Sequence, residues 1–151
     1  SNQTQQYWTH AWVPGKRFGG SKPVYALTSG HTFSAAEEFA NNLKVLKRAT
    51  IVGATTGGGA NPSDSFKLAE HMRIFIPTGR AINPVTKTNW EGTGVIPDVA
   101  VPQEQALLTA QIMAMQPLVA KLAEPWRKEG PAKVLAELQA KLDAMKAPLP
   151  K

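Results

Sequence analysis

Apolar positions change their spacing several times along this chain, and each change predicts an element. Val24-Tyr25-Ala26-Leu27 is a continuous, β-prone apolar run, the pattern of a strand buried on both faces. Thr28-Ser29-Gly30-His31-Thr32 breaks that run with turn formers. From Ser34 onward Ala36, Phe39, Ala40, Leu43 and Leu46 recur at helical spacing, which predicts an amphipathic helix with one greasy face. Ala49-Thr50-Ile51-Val52-Gly53 is a second short β run. Strand, helix and strand at this separation predict a βαβ crossover, with the two strands parallel and the helix on one face.

Further along, Phe66–Ala69 and Met72–Ile76 flank Glu70-His71 and predict a β-hairpin with His71 exposed at its tip. Residues 77–97 carry glycine or proline every few positions and read as a long functional loop. Val99-Ala100-Val101 adds a last short strand. Pro102 then opens a helix through Gln103, Glu104, Leu107, Leu108 and Ile112, which Pro117 is expected to interrupt. A final helix is expected from about Pro131 to Met145, with Val134, Leu135, Leu138 and Leu142 on one face. The expected organisation is an irregular lead-in over 1–21, an α/β core over 22–102 and C-terminal helices over 103–151. Those helices would pad the sheet or form a subunit contact in a homo-oligomer.

Composition narrows the function classes. With 151 residues, 42% hydrophobic and 19% charged, the chain suits one globular domain. No apolar run nears the roughly 18 residues of a membrane helix, and no signal-peptide pattern opens the chain. Ser1-Asn2 has the look of a remnant of tag removal, so the expectation is a piece of a longer protein. The absence of cysteine excludes disulfides, cysteine nucleophiles and thiolate metal sites. The net charge of +6 comes without a basic stripe interleaved with aromatics, which argues against nucleic acid as a partner. Lys44, Lys47 and Arg48 instead sit where cations suit the end of a helix.

Ser34 carries the main chemical question. A hydroxyl at the seam between a buried strand and a helix stands clear of the sheet, beside outward-pointing backbone N–H groups. That is where acyl transfer needs its nucleophile and oxyanion donors. Ser34-Ala35-Ala36-Glu37 is equally a capping box, and caps are far commoner than nucleophiles. The local sequence leaves both readings open. Gly57-Gly58-Gly59 could cradle phosphate, but no G-K-[ST] follows; a loop kept bare for a substrate backbone, or a flexible turn, is the better reading. His10 reads as a surface histidine. Asn89 to Asp98 packs an aromatic, two carboxylates and two glycines into a stretch that periodicity does not explain.

Three blocks, KPVYALTSGHTFSAAEEFA, ATIVGATTGGGA and AINPVTKTNWEGTGVIPDVAV, resemble in order and spacing the catalytic half of the tail-specific (C-terminal processing) serine peptidases. The match spans roughly Lys22 to Ala110. It is best with the branch that includes tricorn protease and the interphotoreceptor retinoid-binding protein. The resemblance implies a crotonase/ClpP-like α/β fold of stacked β-β-α units, protein or peptide substrates, and no cofactor or metal. It implies that Ser34 is the nucleophile, that the Ala35 N–H is an oxyanion donor and that Glu91 is the acidic member of the relay. Asp98 would hold its loop through backbone N–H groups. The lysine of the Ser–Lys branch is replaced by Gly59, so a Ser–His–Ser–Glu arrangement is implied, with its base far upstream of Ser34. His10 and His31 are too close in sequence to be that base, which is expected in a missing N-terminal part of the same protein. The family implies a periplasmic, secreted or cell-envelope location. The retinoid-binding relatives imply an alternative, a binding module for lipid-like apolar ligands.

Overall fold

The computed structural model describes residues 3–146. Strand β1 (Tyr25–Thr28) leads through the Ser29–Phe33 turn into helix α1 (Ala35–Val45), and β2 (Thr50–Gly53) returns beside β1. The pair is parallel, with Tyr25 opposite Thr50 and Thr28 opposite Gly53, so the expected βαβ unit forms. Strand β5 (Val99–Ala100) joins β2 on its other side, again parallel, which makes β2 the central strand. Strands β3 (Ser63–Ala69) and β4 (Met72–Pro77) form a separate antiparallel hairpin.

The core follows from the two-residue period of a strand. Ile51 and Val52 are adjacent in β2, so their side chains leave opposite faces of the sheet, and both are fully buried. Ile51 packs with Ala40 of α1, Ala60, Trp90 and Val95. Val52 packs with Ala106 and Ala110 of helix α2 (Ala106–Lys121). One short strand therefore serves two apolar clusters, which is why its sequence shows no alternation. β1 differs from the doubly buried strand its composition predicts. It is an edge strand, and Leu27 is 44% exposed.

The C-terminal helices depart from expectation at their prolines. Pro117 does not interrupt α2, which runs unbroken through it to Lys121. Helix α3 (Pro125–Lys146) starts a turn and a half before Pro131, which lies inside it. A proline removes one i→i−4 hydrogen bond and crowds one carbonyl, and tertiary packing can offset that loss. Pro125 occupies the first helical position, where its fixed φ fits and no N–H is needed. Helix α3 packs along α2 and buries Leu142.

The lead-in is irregular as expected, but its aromatics are largely exposed. Tyr7, Trp8 and Trp12 do not enter the core, and the cations of Lys22 and Arg48 lie over the Phe18 ring. No helix among the described residues is long and apolar enough to cross a membrane.

Because Ile51 is wholly enclosed, Ile51→Ala should lower stability by about 2–5 kcal/mol. Urea unfolding checks this, and an unchanged midpoint would contradict the assignment of β2 as the shared core strand.

Candidate active site

The turn into α1 is built around a strained backbone. Ser34 has φ 54° and ψ −122°, far from the extended geometry usual for an N-cap residue. A non-glycine residue held there costs on the order of 1–3 kcal/mol, so the surroundings must enforce it. Ser34 is exposed and sits where β1 hands over to the helix. The serine-to-helix bonds are mainly backbone: the Glu37 and Glu38 N–H groups donate to the Ser34 carbonyl at 2.8 and 3.0 Å. Ser34 and Glu37 are placed as a capping box, yet the hydroxyl makes no well-aligned cap bond. The Glu37 half is complete, its carboxylate accepting from the Ser34 N–H at 2.9 Å.

Glu37 does far more than cap. Its side chain is fully buried. Beyond the Ser34 N–H it accepts the Gly58 N–H at 2.7 Å, the Gly59 N–H at 2.8 Å and the Thr56 hydroxyl. Burial raises its pKa, but the Thr56, Gly58, Gly59 and Ser34 donors outweigh that, so the carboxyl titrates below the ordinary glutamate range. The carboxylate thus ties the Ser34 turn to the 56–59 loop. Thr56 extends the tie, its hydroxyl oxygen accepting from the Val95 N–H at 2.7 Å.

The glycine loop is consumed by internal contacts. The Gly57 N–H donates to the Thr32 carbonyl at 2.9 Å, and the next two go to Glu37. The Ala60 and Asn61 N–H groups donate to Glu91 Oε2 at 2.7 and 2.9 Å. No amide from Gly57 to Asn61 is left to bind an anion, which removes the phosphate-cradle reading. Two of the glycines also have a steric reason. A Cβ on Gly57 would come within 2.7 Å of the Phe33 ring, and one on Gly59 would overlap it outright.

The Trp90–Val95 segment closes the knot. Trp90 is buried and its indole N–H donates to the Gly59 carbonyl at 3.1 Å, while the Gly92 N–H donates to the Gly58 carbonyl at 2.8 Å. Glu91 is exposed. One of its oxygens clamps residues 60–61, and Oε1 has no hydrogen-bond partner among the described residues. Asp98 does the loop-holding job expected of it, accepting from the Ile51 N–H at 2.8 Å and pairing with Lys44 at 3.3 Å.

Ser34 and Gly57–Gly59 are thus drawn together through Glu37, with Glu91 attached through the loop and not bonded to Ser34 directly. The exposed Ala35 N–H, first in the helix, has no acceptor among the described residues. No described hydrogen bond links a histidine or lysine side chain to the Ser34 hydroxyl. His31 meets the turn only through its backbone, and His71 lies exposed in the hairpin turn. Sequence reasoning saw Glu37 only as a cap partner and gave Phe33 no role. An aromatic directly before the serine, with glycines downstream to receive it, was the available signal.

Glu37→Ala should destabilise the protein by about 3 kcal/mol or more, since it strands buried donors. A carboxyl held below its unfolded value of 4.5 adds stability that is fully present above that value. That stability is lost as the pH falls through the lower folded value. Urea midpoints should therefore drop in acid, and Glu37→Gln should flatten that part of the profile. Equal acid slopes for both proteins would refute the assignment.

Comparison with known proteins gives a consistent outcome. The model of peptidase family S41 matches residues 2–101, two thirds of the chain. A carboxy-terminal-processing protease from Bartonella bacilliformis is 32% identical over 82 residues, which is 54% of this chain. The chain spans only 19% of that relative's length. Among solved structures, the photosystem II D1 C-terminal processing protease aligns at 28% identity with a TM-score of 0.48, covering 56% of this chain and 22% of that one. Mature CPAF aligns over 86% of this chain and 22% of its own, at 19% identity and a TM-score of 0.50, a likeness of fold alone. With the S41 pattern running through the Ser34 turn, the glycine loop and the Trp90–Val95 segment, the chain belongs to peptidase family S41, the tail-specific proteases.

Proposed function

We propose that the full-length protein is a serine endopeptidase that cleaves peptide bonds through an acyl-enzyme on Ser34, on a crotonase/ClpP-like arrangement of stacked units. The observation that carries this is the strained, exposed Ser34 at a strand-to-helix turn, whose hydroxyl makes no well-aligned hydrogen bond to the helix although it stands in a capping-box position. A cap alone gives no reason to hold a serine in that conformation.

In this reading Ser34 Oγ attacks the scissile carbonyl and forms a C–O bond, while its proton passes to a base. The oxyanion is held by the free Ala35 N–H and a second donor. Collapse breaks the C–N bond, and the base returns the proton to the departing amine. Water then hydrolyses the ester and restores Ser34. The base comes from polypeptide beyond this chain. Gly59 stands where a Ser–Lys enzyme has its lysine, and its amide already serves Glu37. Glu91, with Oε1 unoccupied by the described residues, orients that base and stabilises its protonated form; it is not itself the base.

A fluorophosphonate should label the full-length protein at one serine, located to Ser34 by peptide mass mapping, and Ser34→Ala should abolish the adduct. Glu91→Gln should lower peptide hydrolysis by about 10³–10⁴-fold if it acts as the relay acid. No adduct on full-length protein, combined with saturable binding of a retinoid or fatty acid, would overturn this reading in favour of the apolar-ligand module.

A further inference from the structure

We infer that Phe33 is a specificity residue whose ring seats the side chain of the residue acylated by Ser34, so that this residue is apolar. The inference rests on the peptidase reading above and names its substrate class.

Phe33 immediately precedes Ser34, so their Cα atoms are about 3.8 Å apart. Phe33 is nevertheless 58% exposed. One side of its ring lies on Gly57 and Gly59, where a side chain of any kind would collide with it. The buried face is therefore fixed against a backbone that Glu37 and Thr32 hold in place. The open side is an apolar platform seated on a fixed backbone, on the residue next to the nucleophile.

The amides and the carboxylate beneath the ring are already engaged. The amides of Gly57, Gly58 and Gly59 all donate within the chain, and the Glu37 charge is enclosed by its four donors. A polar or charged side chain resting on the ring would exchange water for an aromatic face and for loop amides that are already spent. An apolar side chain would shed water at no such cost, with a gain of about fourfold per buried methylene. Discrimination on this wall therefore favours apolar residues by shape and desolvation together.

The test uses the full-length protein and two peptidyl diphenyl phosphonates that differ only in the side chain beside phosphorus, isobutyl in one and hydroxymethyl in the other. Ser34 Oγ forms the P–O bond, phenoxide leaves, and the serine proton goes to the base. The isobutyl reagent should label Ser34 at least about tenfold faster. In Phe33→Ala the ratio of the two rates should fall towards one, and in Phe33→Leu, which keeps bulk and apolarity, most of the preference should remain. A preference that survives Phe33→Ala overturns the inference while leaving the peptidase reading intact. No preference in the unaltered protein overturns it in the same way. Failure of both phosphonates to label also overturns it, and fluorophosphonate labelling then decides separately whether the peptidase reading falls too.

Discussion

A single buried carboxylate decides the shape of this site. Removing Glu37 from water is unfavourable, and only donors from two distant segments, the Ser34 turn and the 56–59 loop, make it tolerable. Because the donors lie at fixed places on rigid backbone, meeting that demand also fixes where the backbone goes. The strained φ of Ser34, the inward amides of the glycine loop and the seating of Phe33 are one solution to one electrostatic problem.

The second carboxylates follow the same logic with less burial. Glu91 and Asp98 each accept backbone N–H groups from a segment tens of residues away. The long 77–97 loop has little secondary structure, yet the Asn89 side chain ties it to itself and the buried indole of Trp90 ties it to Gly59. Polar anchoring of this kind lets a loop hold position without a hydrophobic core of its own.

Much of the fold could be read from the residues because it is local. The βαβ unit and the hairpin around Glu70-His71 were legible from apolar period and turn formers, and the role of Asp98 from the family resemblance alone. The helix limits near Pro117 and Pro131 were not, since a proline's local penalty is visible in sequence while the packing of α3 on α2 is not. Glu37 was misjudged for a similar reason. Its capping partner is three residues away and visible, whereas its loop donors lie 19 to 22 residues on. The edge position of β1 depends on which strands sit beside it, and composition says nothing about that.

The two-faced burial of Ile51 and Val52 carries a cost in specificity. In most strands a slip by one residue would throw apolar side chains into water, so hydrophobicity alone forbids it. In β2 a slip in either direction keeps one of the two buried sites apolar and puts Thr50 or Gly53 in the other, so burial penalises it only in part. Directional contacts supply the remainder. The Asp98 carboxylate on the Ile51 amide acts as an index pin that adds to the setting of this strand.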